Sequence, residues 1–189
     1  MNKKITLTSV MAILCICLSA QRPQVTTLPV NERLSNLVIN NLINYPGDTA
    51  SINTLTGNNS KMLLIDFWFT SCAPCIKQIP KLDSLQQQFK DQLQILMVTF
   101  EPDSLVIPFI TKWEQRHCKK LSVPVATADT LLQAHFNQGS RPNYAFIAAD
   151  RVNMGYTSKA FINATVIKEV LAKMKEEVNL RGYQRNPQQ

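Results

Sequence analysis

The sequence of 189 residues contains no internal repeat, which excludes a repeat array, and no composition shift that would mark a second domain. No apolar run reaches the ~20 residues a membrane span takes. Histidine is scarce, at two residues, and this bears on metal chemistry. Zinc is held by four protein ligands, or by three and a water. His117-Cys118 sits among Lys112, Arg116, Lys119 and Lys120, and only His135 and the Cys72/Cys75 pair are left to complete a set, at unsuitable spacing. No metal site and no bound cofactor is expected. The net charge is +7, but no stripe of interleaved basic and aromatic residues accompanies it, so a solvated basic surface is expected rather than a nucleic-acid interface. With 17% charged and 45% hydrophobic residues the chain is not disordered, and its length suits one domain with additions.

Asn2-Lys3-Lys4 followed by the apolar stretch 5–20 reads as an export signal, with Leu18-Ser19-Ala20 as the cleavage point. An uncleaved membrane anchor is the alternative. Removing residues 1–20 takes away two lysines and no acids, and leaves +5. Cys15 and Cys17 follow Leu14 and Ile16, so neither has the small preceding residue of a lipid-attachment site. Of the three remaining cysteines, Cys72 and Cys75 form a close pair and Cys118 is left over. That suggests a redox pair and a free, partly buried thiol.

The stretch from Met62 to Phe89 organises the chain. Met62 to Phe69 is apolar except at Asp66 and suits a strand buried on both faces. Beyond the cysteines, Ile76, Ile79, Leu82, Leu85 and Phe89 recur every three or four residues, which predicts one amphipathic helix. Pro74 falls in its first turn, and Pro80 inside it predicts a kink. Two cysteines three apart at a helix start lie on one face, within reach of a disulfide. Cys72 at the N-terminus gains thiolate character from free N–H groups, while Cys75, one turn in, is the more buried resolving thiol. A carboxyl group buried in the strand, Asp66, is expected to titrate above its ordinary range.

Asp66-Phe67-Trp68-Phe69-Thr70-Ser71-Cys72-Ala73-Pro74-Cys75, with Pro80 five residues on, resembles the active site of thioredoxins. More narrowly, with Ile79 to Leu85, it is similar to the TlpA/ResA-like thiol–disulfide oxidoreductases of bacterial envelopes. The resemblance runs from about Lys61 to the C-terminal helix. It implies a three-layer α/β fold around a central mixed sheet, with an N-terminal extension over 21–60, a domain over 61–180 and a loose tail over 181–189. It also implies that Asp66 moves the proton of the buried cysteine, and that Pro142 is the cis-proline facing the disulfide. Arg141 and Pro142, with Trp68, then receive the substrate, and the Arg141 cation is expected to stabilise the Cys72 thiolate. Two departures stand out. Ser71 replaces the tryptophan many relatives have before the first cysteine, and Gln78 replaces a glutamate three residues after the second. The lysine that usually partners the buried aspartate is also missing, since the next strand reads Leu96-Met97-Val98.

The rest of the chain supplies the setting. Leu37 to Tyr45 is expected to add short edge pieces, and Ala50 to Leu55 a short helical turn. A strand over Leu93 to Phe100 pairs in parallel through the crossover helix. A helix opened by Pro108 buries Phe109, Ile110 and Trp113. A strand at Val123 to Ala126 and a short helix over Thr130 to Phe136 follow, and this extra helix and strand inserted between the two halves is again similar to the TlpA/ResA-like variation on thioredoxin. Ala148 to Arg151 turns the chain into an antiparallel edge strand over Val152 to Tyr156, and Asn163 caps a last helix with Val166, Ile167, Val170, Leu171, Met174 and Val178 on one face.

The expected activity is disulfide exchange with exported proteins, in the bacterial periplasm or envelope, with electrons exchanged with a membrane redox protein. A thiol peroxidase shares the fold, but its Pro-x-x-x-Thr-x-x-Cys motif is missing, because Phe69 and Cys72 stand three before the two cysteines. A non-enzymatic binding module using the same groove is the remaining alternative.

Overall fold

The computed structural model describes residues 27–136 and 141–181; the expected export signal (1–20) and nearly all of the expected tail (181–189) lie outside them. Strand β4 (Met62–Phe67) is the centre of a six-stranded mixed sheet. It runs parallel to β5 (Leu93–Val98) on one side and antiparallel to β7 (Asn143–Ile147) on the other. Beyond β5 come β6 (Val125–Ala126), parallel, and β2 (Leu42–Ile43), antiparallel; beyond β7 comes β8 (Asn153–Thr157). A separate ribbon pairs β1 (Val38–Ile39) with β3 (Ala50–Ser51), which leads into α1 (Ile52–Leu55).

Every residue of β4 is buried, as expected for a strand covered on both faces. Its alternation divides the core. Met62, Leu64 and Trp68 join one apolar cluster, with Ile79 and Leu82 from α3 (Ile79–Gln88), Ile110 and Trp113 from α4 (Asp103–His117), and Ile167, Leu171 and Met174 from α6 (Ala164–Leu180). Leu63, Ile65 and Phe67 join the other, which the N-terminal segment covers with Leu34, Ile39, Ile52 and Leu55, and α5 (Leu131–His135) with Leu132. The extension therefore serves as the second outer layer. Asn153 fastens it, its side-chain amide donating to the carbonyls of Leu28 and Pro29 at 3.0 and 3.2 Å.

Several boundaries differ from expectation. The helix after the cysteines is two helices, α2 (Ala73–Ile76) and α3, rather than one kinked helix. Pro80 has no N–H for the Ile76 carbonyl and crowds it, so the chain ends one helix there and restarts with Pro80 in the next first turn. Helix α4 begins at Asp103, and Pro108 lies within it, on the exposed side where the freed Ser104 carbonyl meets water. Strand β5 stops at Val98, because Phe100 turns outward and is 58% exposed. Cys118, expected to be partly buried, is exposed; it takes the left-handed conformation (φ 50°) that ends α4. Asn163 caps α6 as expected, accepting the Val166 N–H at 3.0 Å. Among the described residues no helix is long and apolar enough to cross a membrane.

Candidate active site

The cysteine pair stands at the C-terminal end of the central strand. The Trp68 N–H still donates to the Val98 carbonyl (3.1 Å), after which residues 69–71 turn the chain and the Cys72 N–H closes on the Phe69 carbonyl (3.0 Å). Cys72 occupies the cap position of α2, its Sγ accepting the Cys75 N–H at 3.3 Å, and Pro74 sits in the first turn without cost. A disulfide joins Cys72 to Cys75, with Cα atoms 5.2 Å apart. Cys72 keeps 5% of its surface open and Cys75 1%, so the first cysteine is the one a partner reaches.

The turn before Cys72 is held from the neighbouring strand. Thr70 donates both its N–H (2.6 Å) and its hydroxyl (2.9 Å) to the carboxylate of Glu101, just beyond β5. Glu101 is itself fixed: its N–H donates to Thr99 Oγ1 and its carbonyl accepts the Ala128 N–H. Glu101 does not stand out in the sequence. Only its place, after a strand paired with β4, puts it near the cysteines.

Asp66 is fully buried, and the alternation of β4 sets it on the same face as Leu64 and Trp68, whose apolar cluster also takes in Cys72 and Cys75. Neither carboxyl oxygen has a hydrogen-bond partner among the described residues. Burial pushes its pKa from 3.8 up to about 8, against the opposing pull of the Arg141 charge. In register with Asp66 stand Met97 on β5 and Tyr144 on β7. Met97 occupies the place where a lysine partner was sought. Tyr144 is fully buried and lies in the apolar cluster of the disulfide; its hydroxyl and the Trp68 indole N–H also lack partners among the described residues. Tyr144 escaped notice because strand patterning reads it as one more apolar position.

Pro142 follows a cis peptide bond after Arg141, and both are half-buried. Since Asn143 pairs with Phe67, the two lie beside the end of β4, next to the cysteine turn. The Arg141 guanidinium packs over the Phe67 ring at 5.3 Å and donates to Gln133 Oε1 at 2.7 Å. Both contacts lie on the sheet face opposite the disulfide, because Phe67 belongs to the second cluster. These contacts run against the expectation that its charge faces Cys72; its main chain remains at the site. Trp68 is fully buried against Phe109, with ring centroids 5.4 Å apart, so it packs the site from behind and offers no surface to a client in this state. The aromatic rim is made instead by half-exposed Phe69 and by Phe100, 6.1 Å apart.

No family model matches the chain. A segment of 57 residues is 35% identical to the thioredoxin-like protein YneN of Bacillus subtilis (strain 168), covering 26% of this chain and 34% of that protein. The chain thus matches about a third of the curated relative's length. A solved Chlorobium tepidum protein, assigned as a thiol:disulfide interchange protein DsbE, superposes with a TM-score of 0.62 at 14% identity, over 78% of this chain and 99% of that one. The fold is thioredoxin-like. A 2-Cys peroxiredoxin of Plasmodium vivax superposes nearly as well, with a TM-score of 0.59 at 10% identity, over 82% of this chain and 99% of that one. A thioredoxin-like fold by itself therefore does not choose between disulfide exchange and peroxide chemistry; the side chains at the pair must.

Proposed function

We propose that this chain is a protein thiol–disulfide oxidoreductase working through Cys72 and Cys75. The observation that carries the reading is the pair itself: a bonded Cys72–Cys75 just past the end of the central strand, with Cys72 the less buried of the two and a buried carboxyl group, Asp66, on the same sheet face. The Cys75 N–H that already points at Cys72 Sγ supports the thiolate form of Cys72 after reduction.

In the reducing direction the Cys72 thiolate attacks a client disulfide, forming a Cys72–client bond and expelling the client's second sulfur as a thiolate. Asp66 then takes the proton of the Cys75 thiol. The Cys75 thiolate attacks Cys72 Sγ, restoring the Cys72–Cys75 disulfide and releasing the client's first sulfur. In the other direction the disulfide accepts two electrons from a client dithiol through the same mixed disulfide. A group titrating near 8 is matched to accepting or returning this proton close to neutral pH. The main chain at Arg141–Pro142 pairs with an extended client segment, and Phe69 and Phe100 flank it. The export signal read in the sequence over residues 1–20 supports a site of action in the bacterial envelope, with exported proteins as clients and a membrane redox protein as electron partner.

The test is the redox equilibrium in glutathione or dithiothreitol buffers, read by tryptophan fluorescence and thiol counting. A potential near about −270 mV marks a reductant and one near about −120 mV an oxidant of clients. If Cys72→Ser and Cys75→Ser leave function intact, a binding module replaces the enzyme.

A further inference from the structure

Asp66, once it has taken the Cys75 proton and must lose it again, passes through a charged state at a fully buried position. An ionised carboxylate buried without a donor is strongly disfavoured, so a donor has to lie within reach. The groups around it are few. Cys72 and Cys75 belong to the apolar cluster on its face of the sheet, and the Arg141 charge acts on it from just before β7. The β5 neighbour, Met97, offers no donor. The β7 neighbour is Tyr144, whose side chain points to the same face from directly across the ladder, where paired Cβ atoms stand ~5 Å apart. Its hydroxyl is buried and has no other partner among the described residues. Burial, and secondarily the Asp66 charge, push the Tyr144 phenol above its ordinary range and keep it a neutral donor. A buried phenol normally finds a partner, and this one has been placed beside a carboxylate that also lacks one.

We propose that Tyr144 is a positioning residue for the proton-transfer step: its hydroxyl donates to the charged Asp66 carboxylate, taking the place of a cationic partner. The inference rests on the exchange reading above, in which Asp66 handles the Cys75 proton. In the disulfide form the two groups stand side by side without bonding. On reduction, when Asp66 is required as a base, the carboxyl group and the phenol would turn toward each other across the β4–β7 ladder to form this bond. A neutral donor suits this step better than a lysine: it supports the carboxylate without holding it permanently charged, so the proton can be returned.

Tyr144→Phe removes the hydroxyl and keeps the ring that packs the core. In reduced protein carrying 13C at the aspartate carboxyl carbons, the Asp66 midpoint is expected to move up by about one pH unit in the variant, because loss of a charge-assisted donor disfavours the charged form. Closure of the Cys72–Cys75 disulfide from its glutathione mixed disulfide is then expected to slow about tenfold at pH 7 and to recover near pH 10. A packing defect alone would slow closure at every pH. In the unaltered protein, 13C placed at the tyrosine Cζ is expected to report a Tyr144 resonance that moves with the Asp66 midpoint, which keeps the test alive should the variant not fold. An unmoved or lowered midpoint in Tyr144→Phe, or a flat Tyr144 resonance, overturns the proposal. Asp66→Asn separates the two layers: if it leaves the closure profile unchanged, the role of Asp66 itself falls, whereas if it abolishes the profile while Tyr144→Phe does nothing, only Tyr144 is excluded.

Discussion

Thr70 and Glu101 are 31 positions apart in the chain, yet two hydrogen bonds from Thr70, at 2.6 and 2.9 Å, end on the one Glu101 carboxylate. This clamp ties the turn carrying the cysteines to the strand that flanks β4. Glu101→Ala is expected to cost about 2–3 kcal/mol in a denaturation experiment, since it strands the Thr70 donors and removes bonds to a charged group. Thr70→Val, which leaves the N–H contact, is expected to cost about 1 kcal/mol. In a double-mutant cycle the two should be clearly non-additive; simple additivity would mean that the clamp carries no energy.

A second buried carboxylate pins the helix that follows the cysteines. Asp83 on α3 accepts the Ser122 N–H and hydroxyl (2.7 and 2.6 Å) and the Lys119 ammonium (2.6 Å), both beyond α4. Burial pushes its pKa up, but the bonds from Lys119 and Ser122 outweigh that and hold it below 3.8. A lowered folded value means that the stabilisation is present above the unfolded pKa and is lost as pH falls through the folded one. Asp83→Asn is expected to destabilise by roughly 1–3 kcal/mol at pH 7, and the gap to the unaltered protein should close under acid. A gap constant with pH would show that charge plays no part.

The central β4 strand, the cysteine turn and the capped last helix were legible in the sequence because each rests on local chemistry: an apolar run, a spacing, an asparagine at a helix start. Pro142 was legible through resemblance, by its order after the cysteine pair. The failures were of another kind. The break at Pro80 was read as a kink, since local pattern cannot say whether packing will hold a weakened helix together. The packing of the Arg141 guanidinium over Phe67 was not legible, because Arg141 lies before the strand whose alternation would have oriented it. Glu101 and Tyr144 depend on which strands neighbour β4, and no periodicity along one segment contains that information.

Cys118 gives a simple check on the thiol assignment. It is exposed at the end of α4, whereas Cys72 and Cys75 are joined. Among these three, one is expected to react with a maleimide before reduction, and all three after reduction in denaturant. Cys118→Ser should leave the redox equilibrium unmoved. A change in potential on that substitution would make the third thiol a participant.

Asp66 yields the sharpest pH prediction. Its folded pKa, about 8, lies above the ordinary 3.8, so the folded chain holds a proton that the unfolded chain releases. Stability is therefore greatest below the unfolded value, declines as pH rises between the two, and levels off above 8. Each pH unit in that window is worth about 1.4 kcal/mol. Asp66→Asn removes the titration and keeps the shape. It is expected to be close to neutral at pH 4 and to stabilise by up to about 5 kcal/mol at pH 9, while slowing disulfide closure. Stability gained together with activity lost is what a strained functional group produces, and urea denaturation across that pH range measures it. If the variant and the unaltered protein show parallel curves, Asp66 is charged at all these pH values and the buried-acid account of the site is wrong.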